Sequence, residues 1–251
     1  MEKNDIPMTE KSEELRQFVL KYLDDLDIEG GSGSVLNLPS FELYAQDYLE
    51  FSEAELIAFQ QEPSEKARIS RLINCVAHLK RAMDCQLDTF LHVYNLYDIF
   101  NKRNLKIEKK LDFLRAIGIF TSRSLSRLNT IRNKMEHTYE VPKIDDIEIY
   151  YDLVSAFVAV LQRTILAIFW HDEVEMGIYD SDNNRIGFFG IKYVLEGPSV
   201  EVCWEIDEIR KTMVANITDF VEFAFFFKVW FLMYELHGFA SSHYVAAQLS
   251  I

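Results

Sequence analysis

A helical spacing of apolar residues, running from about residue 64 to residue 170, constrains the fold more than any other feature. In its first stretch the apolar side chains recur every three or four positions, which places them on one face of a helix. These residues are Leu72, Val76, Leu79, Met83, Leu87, Phe90, Leu91 and Tyr94. The whole segment predicts four helices, at about residues 64–100, 107–117, 121–140 and 145–170. Glycine (9) and proline (5) are scarce in the 251 residues, which also favours helices.

The segments on either side of these helices carry other patterns. On the N-terminal side, residues 10–28 are predicted to form an amphipathic helix, and residues 41–61 a helix in one or two pieces. Between them, Gly30 to Ser34 has the composition of a flexible loop or linker. On the C-terminal side we expect a small antiparallel meander followed by a last helix at about 208–236. The predicted strands are residues 173–179, 185–195 and 200–206.

Two of the predicted helices are unusually hydrophobic. The helix at 145–170 is apolar around most of its circumference, which is typical of the centre of a bundle or of a subunit interface. The helix at 208–236 is rich in phenylalanine, but charged residues interrupt it at short intervals and argue against a membrane span. They are Asp219, Glu222, Lys228 and Glu235.

The N terminus and the cysteines indicate the compartment. No apolar run follows a basic start at the N terminus, so no signal peptide is predicted. The three cysteines are odd in number and sparse, which favours reduced thiols. We therefore expect a cytoplasmic protein without membrane contact.

The net charge of −14 is unevenly distributed along the chain. Residues 1–63 carry 4 Lys/Arg and 15 Asp/Glu, whereas residues 64–143 carry 16 and 8, a local charge of +8. Residues 144–251 carry 6 and 17. A locally basic block is what nucleic-acid binding requires, even in an acidic chain. The alternative is that the basic helix faces are neutralised by the acidic flanks.

The helix at 121–140 combines cationic residues with one histidine. Thr121 or Ser122 is predicted to cap its start, and Pro142 to prevent its continuation. Its charged and titratable residues include Arg123, Arg127, Arg132, Lys134 and His137. Arginine can bind two phosphate oxygens through its planar fork, and histidine can take a proton near neutral pH. With Asn133 as a neutral donor, this helix is a plausible site for holding and cleaving a phosphodiester.

The stretch from Arg132 to Tyr139, RNKMEHTY, resembles the signature of the HEPN superfamily (higher eukaryotes and prokaryotes nucleotide-binding domains). That signature is Arg, usually followed by a polar residue, and then His after four to six residues. Tyr139 matches the variant Arg-x4-His-x-Tyr, which occurs in HEPN toxins paired with a small nucleotidyltransferase antitoxin. The family's antiparallel bundle of about four helices, with the motif at the end of the third, can be laid on residues 64–170.

The resemblance leads to a mainly α fold class. We expect a HEPN-like antiparallel four-helix bundle with N-terminal helices and a small C-terminal antiparallel β-meander plus helix. The predicted division is an acidic N-terminal helical segment at 1–63, the bundle at 64–170, and the meander with its helix at 171–251, packed on the bundle.

The resemblance also implies a function: a metal-independent endoribonuclease of a toxin–antitoxin or antiviral defence system. It implies a homodimer in which both Arg–His motifs line one cleft. In that cleft Arg132 would bind the scissile phosphate, Asn133 would orient the phosphate or the histidine, and His137 would activate the 2′-hydroxyl or protonate the leaving oxygen. Tyr139 would contact substrate or accept AMP from an antitoxin.

The basic helix adds RNA-binding residues to this site, namely Arg123, Arg127 and Lys134. No cofactor is expected. His78, His92, His171, His237 and His243 show no ligand spacing with cysteines or acidic residues, so no metal site is predicted.

Structural alternatives exist for three residues of the motif, and for Tyr139 the alternative is packing on the next helix. The spacing is weak alone, since Arg71 and His78 match it by accident. His137 can be a helix-terminal histidine that is favourable against the helix dipole, and Arg132 can pair with Glu136 one turn on. The alternative function is a non-catalytic HEPN-like module that binds a protein partner or a nucleotide.

Overall fold

The computed structural model describes residues 9–102, 105–120, 123–142 and 147–250. Within these residues the chain forms nine helices and one five-stranded antiparallel sheet. The helices are α1 (Glu10–Tyr22), α2 (Ala45–Gln61), α3 (Glu65–Val93), α4 (Tyr97–Lys102), α5 (Ile107–Ala116), α6 (Arg123–His137), α7 (Ile147–Trp170), α8 (Phe220–Glu235) and α9 (Ser242–Leu249). The strands are β1 (Leu26–Ser32), β2 (Glu173–Tyr179), β3 (Arg185–Val194), β4 (Ser199–Ile206) and β5 (Ile209–Asn216), in that order across the sheet.

The fold is therefore mixed α/β, and the predicted mainly α class, a four-helix bundle with a small meander, is wrong. Two segments account for the error. The end of the predicted first helix and the following glycine-rich linker form β1, which pairs with β2 in the register Leu26 to Ile178 and Gly31 to Val174. The predicted start of the last helix forms β5, in which Met213 pairs with Val202 of β4.

Residues group into two compact units. The first comprises the described residues up to 36, residues 115–118 and the described residues from 166 onward, and the second comprises the rest. The division into segments 1–63, 64–170 and 171–251 stays a prediction.

The core of the first unit lies between one face of the sheet and two helices. On α8 the fully buried Phe227 and Trp230 pack against Tyr193 of β3, with ring centroids 4.8 Å and 6.0 Å away. The indole N–H of Trp230 donates to the backbone carbonyl of Asp172 at 3.2 Å, so its one polar atom is satisfied. From α1, Phe18 stacks on Trp204 of β4 at 4.2 Å. Phe223, Phe226 and Phe227 of the phenylalanine-rich α8 are thus core residues.

The second unit is helical, with α2 packed along α3. The carboxylate of Glu55 on α2 bonds Arg71 of α3 at 3.1 Å and Asn74 at 3.2 Å. The predicted long helix at 64–100 ends at Val93, and Asn95 has the left-handed φ of +54° before α4 begins. The hydroxyl of Tyr94 donates to the carbonyl of Thr164 at 2.7 Å and connects the end of α3 to α7.

Several predicted elements are confirmed with small changes at their ends. They are α5, α6, α7, β2, β3 and β4. Gly118 has φ +78°, as expected for a residue that ends α5. The predicted helix cap at Thr121 or Ser122 lies outside the described residues.

Candidate functional site

The orientation of α6 is determined by its buried face. Leu125 and Leu128 are fully buried, and Asn129 is 3% exposed. The side-chain amide of Asn129 donates to Glu108 of α5 at 2.6 Å, and α6 also packs on α3. These contacts leave the opposite side of α6 to solvent.

That exposed side carries four of the predicted site residues. Arg123, Arg127, Lys134 and His137 are all exposed, and at 100° per residue they fall within about 80° of one another around the helix axis. Along the axis, Arg123 and Lys134 are ~16 Å apart at 1.5 Å per residue. We call these four residues the cationic face of α6. It is suited to following a phosphate backbone, with the histidine at its C-terminal end.

Arg132 and Asn133 lie elsewhere on the helix and are half-buried. The guanidinium of Arg132 forms an ion pair with Glu136 and donates to the side-chain oxygen of Asn133 at 3.3 Å. The pair with Glu136 is the structural alternative that the spacing suggested. The structure thus brings Arg132 and Asn133 together, on the side of α6 that also carries the buried Leu125.

Arg132 and His137 are not convergent within one chain. Because α6 continues through His137, the two residues stay about 140° apart around the axis. If α6 ended between the two residues, the chain could turn and bring His137 towards Arg132, but α6 ends only after His137. The two residues therefore lie on different sides of α6.

The chain leaves α6 in a specific conformation. The amide of Thr138 donates to the carbonyl of Lys134 at 2.9 Å, and the Thr138 hydroxyl lies 2.8 Å from the same carbonyl. Tyr139 then has φ +58°. Its side chain is 90% exposed, so it does not pack on a neighbouring helix as one alternative proposed. The phenol is therefore accessible to a substrate or to a modifying enzyme.

Part of the basic block outside α6 is already paired. Arg71 bonds Glu55 at 3.1 Å, Lys110 bonds Asp88 at 2.5 Å, and Lys80 pairs with Asp84. Glu55 belongs to the acidic N-terminal segment, so neutralisation by an acidic flank does occur at this position. The cationic face of α6 is a candidate for binding RNA because its four residues are exposed on one side of the helix.

The second Arg–His match has structural roles. Arg71 is held by Glu55, and His78 contacts the rings of Tyr48 and Phe51 at 6.5 Å and 5.5 Å between centroids. Burial lowers the pKa of His78, and the charge of Arg81 lowers it further. This histidine is therefore less suited to a proton-transfer role near neutral pH than an exposed one.

In the described part of the chain, no group of three or more His, Cys, Asp or Glu side chains is placed to hold a metal ion.

Two hydroxyl residues that the sequence did not single out lie near the cationic face of α6. Ser126 and Thr130 are exposed and lie within about 60° of Arg123 around the axis. The Ser126 hydroxyl can donate to a phosphate oxygen, whereas the Thr130 hydroxyl already donates to the backbone carbonyl of Ser126 at 3.0 Å. Helical spacing from Arg123 is the signal that would have found Ser126.

Comparison of the chain with protein-family models found no match, and comparisons with curated proteins and with solved structures found none either. The HEPN resemblance therefore depends on the residues of α6 and of the turn that follows it.

Proposed function

We propose that this chain is a metal-independent endoribonuclease of HEPN type, acting in a toxin–antitoxin or antiviral defence system. The observation that carries the proposal is the end of α6, where the exposed His137 continues a cationic face and Arg132 and Asn133 lie within two turns of it. These residue types can bind a phosphodiester and move its protons without a metal.

RNA binding begins at the cationic face. Arg123, Arg127 and Lys134 contact successive phosphates, since all three are exposed on one side of the helix. This places the ribose of a bound nucleotide near His137 at the end of the face. Ser126 supplies a neutral hydroxyl donor beside the charges.

The chemistry is an attack by the ribose 2′-oxygen on the neighbouring phosphorus. His137 takes the 2′-hydroxyl proton, the bond from O2′ to phosphorus forms, and the bond from phosphorus to O5′ breaks. The leaving O5′ receives a proton from the protonated histidine of the second copy, and the product is a 2′,3′-cyclic phosphate. DNA lacks the 2′-hydroxyl and is not cut.

Arg132 acts on the phosphate from the other copy of a homodimer. Its separation from His137 around α6 favours this composite arrangement. To bind phosphate, Arg132 must leave Glu136. Such an i,i+4 pair is worth only ~0.2–0.5 kcal/mol, so the exchange costs little. Asn133, 3.3 Å from the guanidinium, keeps Arg132 oriented while this happens.

The test is cleavage of a mixed-sequence RNA in EDTA by purified protein. Arg132→Ala and His137→Ala should each lower the cleavage rate by ~100-fold or more, the usual contribution of acid–base catalysis. The matched control is Arg71→Ala, which also removes an arginine held by a glutamate. It should retain activity, and thermal midpoints should show that all variants fold. Full activity in His137→Ala would exclude this site.

Tyr139 provides the expected control point in the cell. The phenol is accessible, so an antitoxin nucleotidyltransferase can attach AMP to it. Wild type should be toxic without its partner, whereas the Arg132 and His137 variants should be tolerated.

A second candidate function is a non-catalytic HEPN-like module that binds a protein partner or a nucleotide. The pairing of Arg132 with Glu136 favours it, since an arginine that pairs with a carboxylate one turn along its own helix has a structural role without any substrate. In that case RNA stays intact in the EDTA assay, while binding to RNA or nucleotide survives His137→Ala.

A further inference from the structure

One face of α7 is exposed and follows a strict spacing. Its residues are separated by three and four positions in alternation, the 3.5-residue repeat of a helix that pairs with another helix. They are Ile149, Asp152, Ala156, Ala159, Arg163 and Leu166, and all are exposed. We call these six residues the outer stripe of α7. The inward face of the same helix is buried and includes Val154, Phe157, Val158, Leu161 and Ile165.

The outer stripe is symmetric in composition. Two alanines lie at its centre, one charged residue of each sign lies outside them, and one large aliphatic residue lies at each end. Two copies of α7 can pair antiparallel about a two-fold axis that passes between Ala156 and Ala159. Each stripe residue then faces the residue at the same distance on the other side of the axis. Ala156 then meets Ala159, Asp152 meets Arg163, and Ile149 meets Leu166.

The charges discriminate between the possible arrangements. In a parallel, in-register pair, Asp152 would face Asp152 and Arg163 would face Arg163, so both contacts would be repulsive. In the antiparallel pair each carboxylate meets a guanidinium, and the interface holds two such ion pairs. The small side chains at the centre let the two helices approach closely.

We infer that a second copy of this chain covers the outer stripe, through antiparallel pairing of α7 with α7. The inference goes beyond the proposed function. In the proposed function the dimer follows from the separation of Arg132 and His137, and neither the contacting residues nor the relative orientation of the two copies is specified. Here the contacting surface, the antiparallel orientation of the two helices and the facing residue pairs all follow from the outer stripe of α7.

A membrane is the competing occupant of the same face. By length and hydropathy alone α7 could cross a bilayer, and 39% of that stretch is buried in the structure. Charged side chains are costly at bilayer depth, however, and Asp152 and Arg163 both lie on the exposed stripe. Between two copies the same residues compensate one another, which favours the second copy.

The experiment is sedimentation equilibrium of the full chain and of three stripe variants. Wild type should be a dimer at micromolar concentration. Asp152→Arg and Arg163→Asp should each raise the dimer Kd by about 10-fold or more, because like charges then meet twice in the interface. The double variant restores opposite charges and should return to within about threefold of wild type. Gln162→Arg is the control: it adds a charge at an exposed position of α7 beside the stripe and should leave Kd unchanged.

Three results would overturn the inference. They are a wild-type monomer at ~100 μM, a folded double variant that does not recover, and a wild-type monomer that floats with phosphatidylglycerol-containing vesicles. The RNA assay separates this inference from the proposed function. A dimer with the charge-swap pattern that cuts no RNA leaves the inference standing, whereas a dimer that cuts RNA but lacks the charge-swap pattern removes only the inference.

Discussion

At the residue scale, Tyr139 is the clearest departure from what stability alone would select. It follows α6 directly with φ +58°, in the left-handed region where helix ends usually carry glycine or asparagine. A residue with a Cβ is strained in this region. The ring of Tyr139 is 90% exposed, so burial of the ring does not offset the strain. Strained backbone positions cluster at functional sites.

Replacing Tyr139 should therefore separate backbone strain from the role of the ring. Tyr139→Gly should raise the free energy of unfolding by ~1 kcal/mol, because glycine adopts this φ without a Cβ clash. Urea denaturation measures the change. Tyr139→Ala is the control, since it removes the ring but keeps the Cβ, and it should not stabilise. Equal stabilisation by both variants would assign the effect to the ring.

A second residue-scale prediction concerns Glu235, the last residue of α8. Burial raises the pKa of its carboxyl above the ordinary 4.5. A raised folded-state pKa means that this group favours folding fully below pH 4.5 and loses that contribution as pH rises through the folded pKa. Glu235→Gln should thus be more stable than wild type at pH 7, and the difference should vanish near pH 4.

Urea denaturation at the two pH values tests this. Glu50→Gln, at an exposed position of α2, should show no comparable dependence on pH. A Glu235→Gln variant that is less stable than wild type at pH 7 would mean that the carboxylate makes a favourable contact in its charged form.

At the element scale, β1 shows how glycine can be required for packing rather than for flexibility. A Cβ on Gly31 would lie 2.4 Å from the carbonyl oxygen of Glu173, far closer than van der Waals contact allows. Next to it, the hydroxyls of Ser32 and Ser34 donate to the carboxylate of Asp172 at 2.6 Å and 2.5 Å. The stretch that resembles a linker is thus an edge strand held at close distance.

Gly31→Ala should destabilise the protein by about 1–3 kcal/mol, because the backbones of β1 and β2 must separate to admit the methyl group. The matched control is Gly197→Ala in the turn before β4, where a Cβ would meet nothing within 4 Å. It should change the free energy of unfolding by less than about 0.5 kcal/mol. Similar losses in both variants would show that glycine flexibility, rather than close approach, matters at position 31.

The elements that the sequence predicts correctly are those with a local signal. In α5, α6 and α7 the apolar period lies within each helix, and in β2, β3 and β4 the strands are bounded by turn residues. β1 and β5 lack such a signal. Leu26 continues the helical stripe of α1 equally well, and only its pairing with Ile178, far along the chain, makes it a strand residue.

At the scale of the whole molecule, the candidate site was predictable as a set of residues but not as a geometry. The motif and its cationic neighbours lie on one helix, so their exposure follows from the helical period. The buried side of α6 depends on α3 and α5, and this places Arg132 half-buried beside Glu136. Whether a second copy completes the site is a property of two chains, which the order of residues in one chain does not contain.

The last prediction belongs to this scale, because it concerns the charge of the whole basic block. If Arg123, Arg127, Arg132 and Lys134 each neutralise a phosphate, RNA affinity should fall by ~50-fold between 50 and 200 mM salt, from a slope of about −0.7 per contact. Charge reversal at Arg123 and Arg127 together should reduce the slope by about 1.4 and weaken binding at low salt.

A matched control separates the cationic face from overall charge. Lys66→Glu with Lys109→Glu makes the same change in net charge at exposed positions of α3 and α5. If RNA follows α6, this control should keep most of the wild-type slope in a filter-binding titration, because neither lysine lies on the cationic face and neither contacts a phosphate. Equal slopes for the two double variants would indicate binding by diffuse charge. A wild-type affinity that does not change with salt would instead assign the basic block to pairing within the fold.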